Sequence, residues 1–225
     1  METMLDSALA STAMVDGSPV DFGAYCAVIG PLFEKTLSEI GMEYLRSRNF
    51  TRLHQVLLRV DTSLTLDEYL CSASRDEIND SIERTDSRYR TPLTWAVEFG
   101  WADAACMLLA HGANPSLPKF SERGYSTLLH LAVAGPASQF QIGGYHAIVR
   151  ALLEQGIDIN SRDHEGWTPL HIAASWGLCD LDGFLTHCAL DWNALTDNRQ
   201  SADDLSPDGR FSTIVLSRTW PGLAN

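Results

Sequence analysis

Apolar and polar positions alternate along residues 86–195 in a pattern that starts again three times. Thr91-Pro92-Leu93-Thr94-Trp95-Ala96, Thr127-Leu128-Leu129-His130-Leu131-Ala132 and Thr168-Pro169-Leu170-His171-Ile172-Ala173 open alike. Each is followed by a leucine pair or its equivalent (Leu108-Leu109, Leu152-Leu153, Phe184-Leu185) and then by a small turn. The openings read as helix starts. The threonine hydroxyl can accept from a free backbone amide, and a proline at the first helical position gives up an amide that has no partner there. Leu170 and Ala173, three residues apart, fall on one helix face. Gly112 and Gly156 follow the second helices, where a left-handed residue closes the turn without a side-chain penalty. The pattern therefore predicts pairs of short helices. A single pair cannot bury its apolar face, so each must stack on its neighbours.

The spacing carries further detail. Thr91 and Thr127 are 36 residues apart, Thr127 and Thr168 are 41 apart, and Ser201, which opens Ser201-Ala202-Asp203-Asp204-Leu205, lies 33 beyond Thr168. The surplus in the second unit falls within Gly135 to Gly144, read as an inserted loop that Gly143-Gly144 bends. This order of motifs resembles the ankyrin repeat, with its Thr-Pro-Leu-His opening, central glycine and Leu-Leu close recurring about every 33 residues. The resemblance implies an all-α ankyrin solenoid, flanked by N-terminal helices and a truncated C-terminal capping unit. It resembles short multi-repeat proteins abundant in filamentous fungi.

On this reading residues 1–30 are a flexible tail, and 31–85 hold N-terminal helices with a degenerate unit at Thr51-Arg52-Leu53-His54. Residues 86–195 hold three repeats (86–121, 122–162 with the inserted loop 135–144, and 163–195), and 196–225 form the truncated cap and tail. The run Leu32, Phe33, Leu37, Ile40, Leu45 predicts an amphipathic helix, and Leu64 to Leu70 a second short one before a charged loop from Arg75 to Arg90. Gly166 stands two positions before its threonine, where the family keeps a glycine, but Tyr89 and Tyr125 occupy that place in the first two units. Tyrosine resists positive φ, so those tips are expected to differ from the third.

Charge narrows the partners. Lys and Arg number 16 against 29 Asp and Glu, a formal net charge of −13, which disfavours nucleic acid and anionic lipid. No apolar run approaches the ~20 residues of a membrane helix, and the first residues lack the basic start of a secretory signal. A cytoplasmic monomer is expected, with the nucleus as the alternative compartment. Five cysteines without a Cys-x-x-Cys pair support neither a disulfide framework nor a zinc module.

Candidate chemistry points away from catalysis. His164 and His171 are seven apart, not the four of the two-histidine zinc helix. Gly124-Tyr125-Ser126 lacks the second glycine of a nucleophile elbow, and Gly143-Gly144 has no Gly-Lys-Ser/Thr of a phosphate loop. No catalytic, metal or cofactor residues are assigned. The resemblance instead implies that a partner protein meets the concave side, at variable positions around the Thr-Pro-Leu-His core. Those assigned here are Arg88, Arg90, Glu98 and Phe99 in the first unit, and His164, Glu165, Trp167 and Trp176 in the third. Large aromatics flanked by Arg and Glu suit an interface. The alternative for Phe99 and Trp176 is packing against a neighbouring unit or the insertion.

Overall fold

A computed structural model of the chain describes residues 49–58, 61, 63–116, 127–134, 142–178, 184–185, 189–207, 209–213 and 215. The expected flexible tail and the amphipathic run from Leu32 to Leu45 lie outside them, as do Tyr125 and residues 135–141. The chain divides into two compact units, one ending at Asn114 and the next beginning at Pro115. Every regular element among the described residues is helical.

The first unit contains α1 (Arg52–Leu57), α2 (Leu66–Ser72), α3 (Arg75–Ile82), α4 (Pro92–Glu98) and α5 (Ala102–Ala110). Helix α1 packs on α2, α3 and α4, and α4 pairs with α5. Leu53, Val56, Leu57, Ala96, Val97, Ala104, Ala105 and Leu108 are wholly buried between them. Ala96 keeps the paired helices close because it carries only a methyl group. The turn after α4 is closed by Gly100 at φ 71, with the Trp101 N–H donating to the Ala96 carbonyl at 2.8 Å. The turn after α5 repeats this with Gly112 at φ 91 and the Ala113 N–H on the Leu108 carbonyl at 3.0 Å. Both are the six-to-one closure that a left-handed residue permits.

Helix α3 corrects the charged loop expected from Arg75 to Arg90. Ser74 caps it by accepting from the Glu77 N–H at 3.2 Å, and Asp76 and Glu77 occupy its first turn, where carboxylates favour the positive end of the helix dipole. Ile78 and Ile82, four apart, bury one face. Only the segment after Ile82 remains irregular.

The second unit contains α6 (Leu128–Ala134), α7 (Ile142–Glu154), α8 (Pro169–Ser175) and α9 (Ala202–Leu205). Helix α6 packs on α7 and α8, and α8 on α9. Residues 142–144, assigned to the inserted loop, are instead the first turn of α7. An apolar i, i+3, i+4 series of Tyr145, Ile148, Val149 and Leu152, all buried, gives that helix a face strong enough to carry two glycines at its start. Gly156 at φ 80 and Gly177 at φ 65 close α7 and α8. Leu170 is 1% exposed. Replacing it with alanine is expected to lower the unfolding free energy by roughly 2–5 kcal/mol, read as the urea midpoint of the helical dichroism; an unchanged midpoint would contradict its place in the core.

Three histidines tie consecutive motifs together. His54 Nδ1 lies 2.8 Å from the Thr51 hydroxyl and accepts from the Thr51 N–H at 3.4 Å, while Nε2 lies 3.2 Å from the Arg90 carbonyl. His130 joins Thr127 at 2.8 Å to the Trp167 carbonyl at 3.1 Å. His171 joins Thr168 at 2.8 Å to the Ala194 carbonyl at 3.1 Å. A carbonyl can only accept, so each Nε2 carries a proton, and the threonine amides that donate to Nδ1 of His54 and His171 make those two rings the neutral tautomer. Thr94 stands where the first unit lacks this histidine, and its hydroxyl pairs with that of Thr91 at 3.0 Å. Asn160 adds a second clasp, donating from Nδ2 to the Ala189 carbonyl at 2.6 Å and accepting the Asp191 N–H on Oδ1 at 2.9 Å.

Candidate protein-binding surface

The tips that precede the Thr motifs share one backbone path. In the first unit the Asp86 N–H meets the Arg90 carbonyl at 2.9 Å; in the second the Asp163 N–H meets that of Trp167 at 2.8 Å, and the Thr196 N–H that of Gln200 at 3.0 Å. Among the described residues, the one two before a motif is left-handed: Asn49 at φ 55, Tyr89 at φ 60, Gly166 at φ 74 and Arg199 at φ 60. The expectation that Tyr89 would alter its tip is thus corrected. Acceptors inside the turn hold the strain: Asp86 Oδ1 takes the N–H groups of Arg88 at 2.8 Å and Arg90 at 3.0 Å, as Asp163 Oδ1 takes those of Glu165 at 2.9 Å and Trp167 at 2.8 Å. Glycine at 166 has a reason besides φ. A Cβ there would run into the side chains of Arg162 and Asp197, which pair at 2.9 Å. Tyr89 is 57% exposed.

Of the four residues assigned in the first unit, Arg90, Glu98 and Phe99 are linked through the Arg90 guanidinium and the Trp95 ring. Arg90, with 12% of its side chain exposed, pairs with buried Asp86 at 3.1 Å and with Glu98 at 3.4 Å. Its guanidinium sits 3.7 Å over the Trp95 ring, whose Nε1 donates to Asp86 Oδ2 at 3.3 Å. Phe99 is half-buried, stacked between Trp95 at 5.4 Å and Trp101 at 5.3 Å. Arg88 is half-buried on the tip. The charges of Arg90 and Glu98 are therefore met within the protein, and this cluster offers a rigid, largely compensated surface.

The second unit is more open. Trp176 caps the C-terminal end of α8 with 54% exposure. Trp167 is half-buried, its ring 6.3 Å from His171. His164 and Glu165 project from the tip with 64% of each side chain exposed, 3.9 Å apart. Two exposed apolar groups were not assigned from sequence, Tyr89 and Leu195, the latter 45% exposed. Tyr89 stood out only as a departure at the glycine place. Asp86 also went unassigned, although an aspartate five before the threonine recurs as Asp163.

Burial holds the histidines neutral. Desolvation lowers His54 to about 4, against the opposing effect of the hydrogen bond its Nε2–H donates to the Arg90 carbonyl, and lowers His130 and His171 in the same direction. Among the described residues no three His, Cys, Asp or Glu side chains gather in a way that could hold a metal ion, and no helix is long and apolar enough to cross a membrane.

Comparison with known proteins meets this geometry at the same places. A family model for the ankyrin repeat matches residues 88–119, and one for ankyrin repeats in many copies matches 137–182. This is an ankyrin-repeat protein. Its similarity to protein phosphatase 1 regulatory subunit 12A of Mus musculus is 33% identity over 82 residues, 36% of this chain and 7% of that protein. Regulatory subunit 27 of the same phosphatase, also from Mus musculus, is 40% identical over 75 residues, 33% of this chain and 47% of its own. The fem-1 homolog A protein of Danio rerio is 35% identical over 105 residues, covering 43% and 17% respectively. The ankyrin-repeat chain thus spans less than half the length of each of these relatives.

Proposed function

We propose that this ankyrin-repeat protein is a non-catalytic scaffold that binds a partner protein on the concave face of its repeats, working as a cytoplasmic or nuclear monomer. The observation that carries the reading is Trp176, which leaves 54% of its surface in solvent at the end of a helix whose other apolar residues are buried. Tryptophan at a helix end is a large anchor with little conformational entropy to lose on binding. Trp167, His164 and Glu165 supply a second aromatic and a polar rim, and the first unit adds Arg88, Arg90, Glu98 and Phe99 as a preorganised patch. A net charge of −13 favours partners with a basic surface over nucleic acid.

Affinity capture with the wild-type chain beside a Phe99→Ala, Trp167→Ala, Trp176→Ala triple variant tests this, once circular dichroism shows both helical. A protein retained by the wild type and released by the folded variant is the expected result. Equal retention would contradict the assignment. Because two relatives are named as regulatory subunits of protein phosphatase 1, its catalytic subunit is the first purified protein to add. A second reading, an accessory or truncated ankyrin region of a larger multidomain signalling protein or enzyme, is favoured by the small shares of 7% and 17% that the match covers in two relatives. A longer related reading frame at the same locus would support it.

A further inference from the structure

Within the first unit, the end of α2, the start of α3 and the end of α5 enclose a groove of about 520 Å³. That size falls in the range of small-molecule sites, roughly 300–1,000 Å³. Its floor is apolar: Leu70 is 3% exposed and Ile78 6%, with half-buried Ala73 beside them. Its rim carries Arg75, Asn79 and His111, all exposed. None of these three side chains bonds to another group of the protein. Of the acids on α3, Asp76 is exposed and does not line the groove, and the other two are engaged. Glu77 accepts from the Tyr69 hydroxyl at 3.3 Å and pairs with Arg52 at 3.8 Å; Asp80 pairs with Arg84 at 2.9 Å; Glu83 accepts the Asn114 N–H at 2.6 Å. Among the described residues Arg75 is the one Lys, Arg, Asp or Glu that lines the groove, with the donors of Asn79 and His111 beside it around an apolar floor.

We propose that this groove binds a small aliphatic carboxylate, its alkyl body on Leu70, Ala73 and Ile78 and its carboxylate on Arg75 with donors from Asn79 and His111. A guanidinium matches a carboxylate in two parallel hydrogen bonds, which an alcohol of the same shape cannot provide. The site is separate from the proposed partner surface and does not depend on it.

Amide shifts of the ¹⁵N-labelled full chain during titration with hexanoate test the proposal. The expected result is saturable shifts confined to residues 70–79 and 110–112. Arg75→Gln, a change at an exposed position, is expected to weaken binding about tenfold. Ala110→Leu, also exposed, is expected to fill the groove and remove the shifts with the unfolding midpoint unchanged, and added salt is expected to weaken binding. Shifts that do not saturate, equal affinity in Arg75→Gln, or equal binding of hexanol would overturn it. So would binding of a leucine-ending tetrapeptide without binding of hexanoate, an outcome that would move the site to protein C-termini.

Discussion

Replacing Asp86 with alanine is expected to lower the unfolding free energy by roughly 3–5 kcal/mol, the cost of leaving a buried cation and its neighbours without their acceptor. The carboxylate is fully buried and accepts from the Arg88 and Arg90 N–H groups, from the Arg90 guanidinium and from Trp95 Nε1. Its removal strands each donor and releases Tyr89 from its left-handed conformation, which the turn imposes at φ 60. Asp86→Asn keeps an acceptor for the two backbone amides but not the charge, so its loss is expected to be smaller. Asp163→Ala provides the comparison within the same molecule. That side chain is half-buried, with two backbone amides and no arginine, and roughly 1–2 kcal/mol is expected there. Urea midpoints of the three variants give the order. Equal losses at positions 86 and 163 would show that the Arg90 and Trp95 bonds add nothing.

The second large effect is a loss of stability in mild acid. His54, held at about 4 in the folded chain against 6.5 when exposed, binds a proton more readily unfolded. The unfolded state therefore holds more protons between those values, and stability rises with pH across the window. His54 contributes fully above pH 6.5, and the contribution is lost as pH falls toward 4. For a shift of that size the loss is roughly 3 kcal/mol. His130 and His171 are shifted the same way and deepen it. Geometry gives the reason: protonating Nδ1 would set a new N–H against the Thr51 and Thr168 amides that donate to that atom. Asp61 and Asp204, kept below the ordinary carboxylate range by the hydroxyls and amides of Ser63 and Ser201, lose their contribution only at lower pH. Urea midpoints should be level above pH 6.5 and fall between 6.5 and 4. His54→Leu should flatten that fall, and an equally steep fall in the variant would exclude this histidine as its source.

The helical pairs were legible because their signals are local. A threonine cap, a proline at the first turn, an alanine where helices approach and a glycine that closes the turn each act within a few residues. What the sequence hid depends on contacts. Arg75 to Glu83 read as loop because its charges outnumber its apolar residues, yet Ser74 as cap and the Ile78–Ile82 spacing were signals enough for α3. Tyr89 read as an obstacle because φ preference was weighed without the Asp86 acceptor that outbids it. Arg90 and Glu98 read as available charges, since nothing in their spacing along the chain shows that a guanidinium lies on Trp95 between two carboxylates. Phe99 and Trp176 are equivalent in sequence but not in surroundings. Trp101 follows Gly100 and stacks on Phe99, whereas Leu178 follows Gly177 and Trp176 stays 54% exposed.

Hydrogen exchange of the captured complex against the free chain tests the central claim most directly. If the partner sits on the proposed surface, amides at the tips and helix ends, residues 86–91, 163–167 and 175–178, gain protection on binding, and Trp176→Ala abolishes the change. Protection confined to other residues, or unchanged exchange at 163–167 and 175–178 in a saturated complex, would contradict it.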